Sequence, residues 1–386
     1  MLSPGPFSLV ELPVRRAGDV NRHVHLDEAS VRRLIADTQP DVLDIHEEPF
    51  SAVARQWLGA AAGALPVVMY AAQNIDKRYP PPFSHYEHAA YQRVDAFYPC
   101  SHQAASVLRG KGFGGVIEVL PLGYDDAVYE PGTQSLDAEE IVLMLVGRLV
   151  PEKGVDHAIR VLARVNADRP ARLVVCGEGP EAVLARRVAS ALGVADRVDF
   201  TGWLTGPDLA SAYKAAHVVL IPSRATQTWV EQFGRVIVEA QASGAVVAGY
   251  ACGAIPEVAG DAALVVPIGD LDRLVEGVVR IVSNREDFDR RRDAGRRLAA
   301  TRTWHAVAVR QAALYQTVLG HRRARLERRG SPRRRRAAAR AEFGPTAPTS
   351  GGDRPFALPV LRNGGGVARA LATAIDAAAE LASRRP

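Results

Sequence analysis

Apolar residues fall in short runs separated by amphipathic stretches along most of this chain. In the first third, "EASVRRLIADTQP" has helical spacing and stops at Pro40, and "DVLDIH" is a compact apolar run of strand character. "SAVARQWLGAAAG" is helical, "LPVVMYAAQN" reads as a strand ending in polar residues, and "YEHAAYQRV" is helical again. "DAFYPCS" then reads as a strand, "HQAASVLRGKG" as a helix closed by glycine, and "VIEVLPLGYD" ends the series. Strands and helices alternating at this length predict a parallel sheet with helices on both faces.

The same rhythm restarts after "YEPGTQSLDAEE", a polar stretch with Pro and Gly. Strands are expected at "IVLMLVGR", "ARLVVCGEG", "RVDFTGW", "HVVLIPS" and "AVVAGYA". Helices are expected at "VDHAIRVLARVN", "PEAVLARRVASALG", "DLASAYKAA", "FGRVIVEAQASG" and "LDRLVEGVVRIVS". The pattern predicts two doubly wound α/β domains facing a cleft. The first spans residues 1–128 and the second 141–300, with a linker at 129–140. A terminal helix at 301–320 and an Arg-rich, largely disordered tail at 321–386 follow, with a further helix at "VARALATAIDAAAELAS".

Composition narrows the class. The 386 residues exceed one ordinary domain, and 47% hydrophobic with 24% charged residues is the profile of a soluble globular protein. No apolar run reaches the ~18–20 residues that span a bilayer, and "MLSPGPFSLVELPVRR" lacks the pattern of a signal peptide. Cys100, Cys176 and Cys252 lack metal-ligand spacing and are expected as buried thiols in a reducing cytoplasm. The net charge of +5 is misleading. Residues 321–386 hold 15 basic and 5 acidic side chains, so the body before them is net acidic and no specific nucleic-acid partner is expected.

The chemistry is expected beyond the C-terminal ends of the second domain's strands, where open α/β sheets bind ligands. In "VGRLVPEKG", Gly147 ends a strand, and Arg148 and Lys153 flank a turn. Two cations on that rim suit a diphosphate, or are a solvated basic pair. In "CGEGPE", Gly177 and Gly179 permit a tight turn with close ligand approach. In "WVEQFGRVIVEA", a helix starting near Gly234 presents its free amides to the cleft. Glu231 then sits just before the helix, in reach of sugar hydroxyls. Glu239 sits about one and a half turns inside it at ~1.5 Å rise per residue, where a carboxylate can take both hydroxyls of a ribose. On spacing alone, two surface glutamates remain an equal alternative. In "ACGAIPEVAG", Glu257 is expected to cap the next helix.

Taken together and in order, "GRLVPEKG", "VVCGEGP", "VDFTGWL", "IPS", "EQFGRVIVEAQASG" and "GAIPEVAG" resemble the donor-binding domain of retaining glycosyltransferases of the GT-B fold, family 4. The first domain resembles that family more loosely, through "PDVLDIHEEPFS", "QNIDKRYPPPF", "CSHQAASVLRGKG" and "VLPLGYDDAVYEPG". The resemblance implies transfer of a sugar from a UDP- or GDP-sugar donor with no cofactor, and no essential metal is expected because the sequence shows no acidic metal-binding cluster. It implies that Arg148 and Lys153 hold the diphosphate. Glu231 and the backbone of Gln232, Phe233 and Gly234 would hold the sugar and phosphate, and Glu239 the ribose. The turns at Glu178–Gly179 and Trp203–Leu204 would border the base.

Two departures from the family pattern stand out. Against that pattern the first domain is expected to be short by about one βαβ unit, the opening strand and glycine-rich loop, through either a misassigned start or a real truncation. Where many members place a histidine near the donor sugar, this chain has Gln73 and Asn74. His46 and His85, nearby in sequence, carry little weight as replacements. With Lys77, Arg78 and Tyr79, the two amides are expected on the acceptor side, toward a cell-envelope, glycolipid or secondary-metabolite acceptor. The alternative is a catalytically impaired relative that binds nucleotide sugars. In either case the Arg-rich tail suits peripheral contact with an anionic membrane from the cytoplasmic side.

Overall fold

The computed structural model describes residues 10–63 and 65–329. The first lobe opens with a short antiparallel pair, β1 (Val14–Arg15) and β2 (Val24–His25). There follow α1 (Glu28–Thr38), β3 (Leu43–Ile45), α2 (Ala52–Ala61), β4 (Val67–Ala71), α3 (Phe83–Arg93), β5 (Ala96–Pro99), α4 (His102–Gly110) and β6 (Val116–Ile117). Serines start two of these helices. Ser51 Oγ accepts from the amide of Ala54, and Ser101 Oγ from that of Ala104, each at 3.2 Å. Strands β3 to β6 pair in sequence order, all parallel.

The second lobe contains β7 (Ile141–Val146), α5 (Val155–Asp168), β8 (Ala171–Cys176), α6 (Ala182–Ala191), β9 (Val198–Gly202), α7 (Gly206–Ala215) and β10 (Val218–Ile221). It continues with α8 (Arg235–Ala242), β11 (Val246–Tyr250), α9 (Ile255–Ala259), β12 (Leu264–Val266), α10 (Leu271–Ser283) and α11 (Arg285–Ala300). Its six strands are parallel in the order β12-β11-β10-β7-β8-β9. Strand side chains alternate between faces. Leu143, Leu145, Leu173 and Val175 pack with α5, α6 and α10, whereas Val142, Met144, Val174 and Cys176 pack toward α7, α8, α9 and α11. The connecting segment is pinned to this lobe by Gln134, whose Nε2 donates to the Ser243 carbonyl at 2.9 Å.

The last helix, α12 (Trp304–Arg329), leaves the second lobe and returns to the first. It runs nine residues past the expected end at 320, so the expected tail begins as helix. Residues 330–386, including the expected helix there, lie outside the described residues. Helices α1 to α4 cover one face of the first sheet, around Val67, Met69 and Phe97. Val307, Leu314 and Val318 of α12 cover the other, against Val68, Ala96 and Tyr98. Asp44, half-buried beneath α12, accepts from Tyr98 OH at 2.6 Å and Gln311 Nε2 at 2.7 Å, and also from Tyr315 OH. The helix thus covers the face of the first lobe's sheet that α1 to α4 leave open.

Candidate functional site

The strand order of the second sheet creates the site. β7 lies between β8 and β10, and the helices that follow β7 and β10, α5 and α8, lie on opposite faces. Loops diverging in this way open a crevice at the carboxyl ends of the strands. Residues 147–154 form one wall and residues 222–234 the other.

Lys153 comes from the first wall and Glu231 from the second. Lys153 Nζ lies 2.6 Å from Glu231 Oε2, with the side chains only 19% and 12% exposed. Ser223 Oγ donates to the same carboxylate oxygen at 3.2 Å. The ammonium also sits 5.1 Å from the centre of the Trp229 ring. The lysine stem passes Gly147, where an added Cβ would stand 3.7 Å from Lys153 Cε. Arg148 is exposed on the rim, and its guanidinium makes no hydrogen bond or ion pair with any described residue.

Gly177 has φ +144, and a Cβ there would lie 1.9 Å from the Gly147 carbonyl oxygen. Its own N–H donates to the Gly202 carbonyl at 2.8 Å. The mouths of β7, β8 and β9 therefore meet backbone to backbone, which is what "CGEG" requires its first glycine for. Glu178 is exposed beside this contact, and Trp203, just past Gly202, is 53% exposed. Leu204 is packed against the core beneath.

Gly234, at φ +81, precedes α8, and no side chain caps the helix, so its first amides face the crevice end unclaimed by any side chain. Gln232 is exposed, whereas Phe233 is buried in the core and has only its backbone to offer a ligand. Glu239 is buried inside α8 and accepts from Tyr213 OH at 3.1 Å. Burial raises the pKa of its carboxyl, opposed by the nearby Arg235 charge and the Tyr213 bond. Tyr213 packs with Cys176 at the end of β8, and the Cys176 carbonyl accepts from the Gly147 amide at 2.9 Å. Glu239 thus faces Tyr213 within the second lobe.

On the first lobe, Asn74 departs from expectation. Asn74 is not a free amide facing an acceptor. It is buried, and its Nδ2 donates to the Glu231 carbonyl at 2.8 Å and to Gln103 Oε1 at 3.2 Å. The Glu231 carbonyl points toward the first lobe and draws this donor across. Gln73 is engaged locally, with Tyr79 OH at 3.2 Å and the Ile75 amide at 3.1 Å. Lys77 and Arg78 line a groove of about 440 Å³ together with Glu87, His88 and Lys111. Glu257 does not cap its own helix. Its carboxylate accepts from the His102 amide at 2.9 Å and contacts His102 Nδ1, so it caps α4 of the opposite lobe. His46 is stacked on Tyr70 at 4.2 Å, and His85 is exposed. Behind the mouth of the first lobe, Glu48 accepts from the Ala72 amide at 2.8 Å, and burial pushes its pKa to about 7.

Tyr213, Ser223 and Trp229 join the site without having been singled out in the sequence. Tyr213 sits in an amphipathic helix where an aromatic residue reads as core. Trp229 lies two residues before Glu231, and only the fold shows that it faces Lys153. Among the described residues, no group of three or more His, Cys, Asp or Glu side chains is placed to hold a metal ion.

These features have counterparts in known proteins. Residues 131–298 match the family model described as glycosyl transferases group 1. The matched region takes in the second lobe into α11, with both walls of the crevice. The chain is 28% identical over 207 residues to an MMP alpha-(1->4)-mannosyltransferase of Mycolicibacterium hassiacum, covering 53% of this chain and 49% of that protein. It is 37% identical over 161 residues to a D-inositol 3-phosphate glycosyltransferase of Segniliparus rotundus (38% and 34%). It is 31% identical over 231 residues to a protein of the same name from Mycobacterium tuberculosis (55% and 46%). The chain spans half or less of the length of these curated relatives. Among solved structures, a sucrose-phosphate synthase from Thermosynechococcus elongatus superposes with a TM-score of 0.58 at 21% identity, covering 76% of this chain and 77% of that one. An Anabaena protein in complex with UDP and glucose gives 0.56 at 18% identity, covering 78% and 80%. The architecture is the two-lobed GT-B fold.

Proposed function

We propose that this chain is a retaining glycosyltransferase that moves a sugar from a UDP- or GDP-sugar to a cell-envelope, glycolipid or secondary-metabolite acceptor. The observation that carries the reading is the Lys153–Glu231 pair, set at the switch point of the second sheet beside the uncapped end of α8. A diphosphate leaving group needs cations and amide donors at that position. The match of the group 1 domain and the UDP and glucose named with the Anabaena structure support the same reading.

In this reading Arg148 and Lys153 neutralise the diphosphate as its bond to the anomeric carbon breaks. Glu231 and the backbone at Gln232, Phe233 and Gly234 hold the sugar and the outer phosphate. Glu239 holds the ribose, and Glu178–Gly179 with Trp203–Leu204 border the base. The acceptor oxygen bonds to the anomeric carbon on the face from which the diphosphate departs. The departing phosphate oxygen takes the acceptor's proton. The configuration is thereby kept, and no protein nucleophile or metal is needed. Positioning and fixed charge supply the rate.

A second reading, a donor-binding relative without turnover, draws on Asn74. Gln73 and Asn74 stand where the family resemblance places a histidine, and Asn74 is committed to bonding the other lobe. A panel of UDP- and GDP-sugars separates the two. Transfer or slow hydrolysis supports the enzyme, and stabilisation of the fold without product supports the binding protein. Loss of the thermal shift in Glu239→Ala is expected in both. No helix among the described residues is long and apolar enough to cross a membrane. The Arg-rich segment beyond Arg329 is proposed to touch anionic membrane surfaces from the cytoplasmic side, tested by salt-dependent vesicle binding with and without residues 330–386.

A further inference from the structure

The Lys153 ammonium has two partners of different kinds, the Glu231 carboxylate at 2.6 Å and the Trp229 ring at 5.1 Å. The backbone that carries the ring is fixed by its own loop. The Thr226 amide donates to the Trp229 carbonyl at 2.8 Å, and the Trp229 amide donates to Thr226 Oγ1 at 3.0 Å. The start of the same loop is tied to the opposite wall. The Arg224 amide donates to the Glu152 carbonyl at 2.7 Å, and Arg224 Nη2 donates to the Pro151 carbonyl at 2.7 Å and to Asp156 Oδ1 at 3.0 Å. Only residues 225–228 project into solvent, and the ring itself is half-buried against the core beneath the site. A tryptophan restrained at both ends of its loop is held over the cation by the fold, not by chance rotation of a surface side chain.

The two partners act differently when an anion arrives. A phosphate competes with Glu231 for the ammonium, because both are negative. The ring attracts the ammonium through its quadrupole without neutralising it, and keeps water from one side of it. An ammonium held by Glu231 alone follows the carboxylate and is half-neutralised. One held by the ring stays over Gly147 and keeps its charge for a second anion.

We propose that Trp229 is a positioning residue of the donor site, holding the Lys153 ammonium over its ring so that it can pass from Glu231 to the outer phosphate of a nucleoside diphosphate. This rests on the donor-site reading above and adds to it a residue outside the ordered motifs. The ligand feature concerned is the second phosphate, since Lys153 is paired with Glu231, three residues before the Gly234 end of α8.

The test is calorimetric titration of the full chain with UDP, UMP, GDP and GMP, using wild type, Trp229→Leu and Trp229→Phe. For the nucleotide that binds, the ratio of diphosphate to monophosphate affinity is expected to fall about tenfold in Trp229→Leu and to stay within about threefold of wild type in Trp229→Phe. An unchanged ratio in Trp229→Leu overturns the assignment. So does a parallel loss of mono- and diphosphate binding, which marks a collapsed loop. Wild-type protein that binds no nucleoside diphosphate overturns the donor-site reading itself, an outcome distinct from the other two.

Discussion

Asn74 Nδ2 of the first lobe lies 2.8 Å from the backbone carbonyl of Glu231, whose carboxylate holds Lys153 in the second. One amide therefore links the position of the first lobe to the placement of a candidate sugar-binding group. Asn74→Ala leaves that carbonyl with the Ala254 amide as its remaining donor. The expected cost is about 1–3 kcal/mol of stability, read by thermal unfolding. A larger radius of gyration in small-angle scattering is expected as the lobes part. An unchanged radius would show that the remaining contacts suffice to hold them.

Glu231→Gln separates binding from turnover. It keeps a hydrogen-bonding side chain near Ser223 and Lys153 but releases the lysine charge. Nucleoside diphosphate affinity is expected to hold or tighten, while transfer slows by about 100-fold. Lys153→Met is expected to weaken diphosphate binding by about 10–100-fold. Titration calorimetry and a product assay on both variants check the pair, and equal losses of binding in the two would contradict it.

Glu48 makes stability depend on pH. Its carboxyl has a pKa of about 7 in the fold against 4.5 when solvated, because burial outweighs the amides of Ala72 and Gln73. The folded state thus binds the proton more tightly. This contribution is full below about pH 4.5 and is lost as pH rises through about 7. Glu48→Gln is expected to flatten that fall, raising the melting temperature at pH 8 by a few degrees relative to wild type, with little difference at pH 5. Melting curves at the two values decide it.

Gly177→Ala tests the meeting of the strand mouths. The added methyl lands 1.9 Å from the Gly147 carbonyl, in backbone that cannot swing aside. A destabilisation of about 2–4 kcal/mol in denaturant unfolding is expected, with loss of nucleotide-induced stabilisation. Near-neutral behaviour would mean that the β7 and β8 mouths can separate.

Much of the second lobe is legible in the sequence, because buried parallel strands such as "IVLMLV" and periodic helices such as α10 leave clear patterns. Helix α11 is different. In "REDFDRRRDAGRRLAA" only Phe288, Gly295 and Ala299 are buried, too few to mark a face. Residue type and order single out Lys153 and Glu231 in the sequence, and the fold pairs them. The bonds that cross between lobes are not legible there. Asn74 to Glu231 spans 157 residues and Glu257 to His102 spans 155, and no local pattern encodes such a partner. The return of α12 to the first lobe is hidden for the same reason. Its apolar spacing predicts a helix, but not which sheet it covers.

That return sets how the two halves can move. The chain crosses between lobes twice, and the crossings run side by side. The Tyr124 amide donates to the Arg302 carbonyl at 3.2 Å, and the Trp304 amide to the Tyr124 carbonyl at 3.1 Å. Two crossings riveted at one spot mark a single hinge line, and the Asn74–Glu231 and His102–Glu257 bonds latch the lobes across it. The same stitching means that no single cut yields two self-sufficient pieces, because the upper half keeps its lining only when Trp304–Arg329 travels with it.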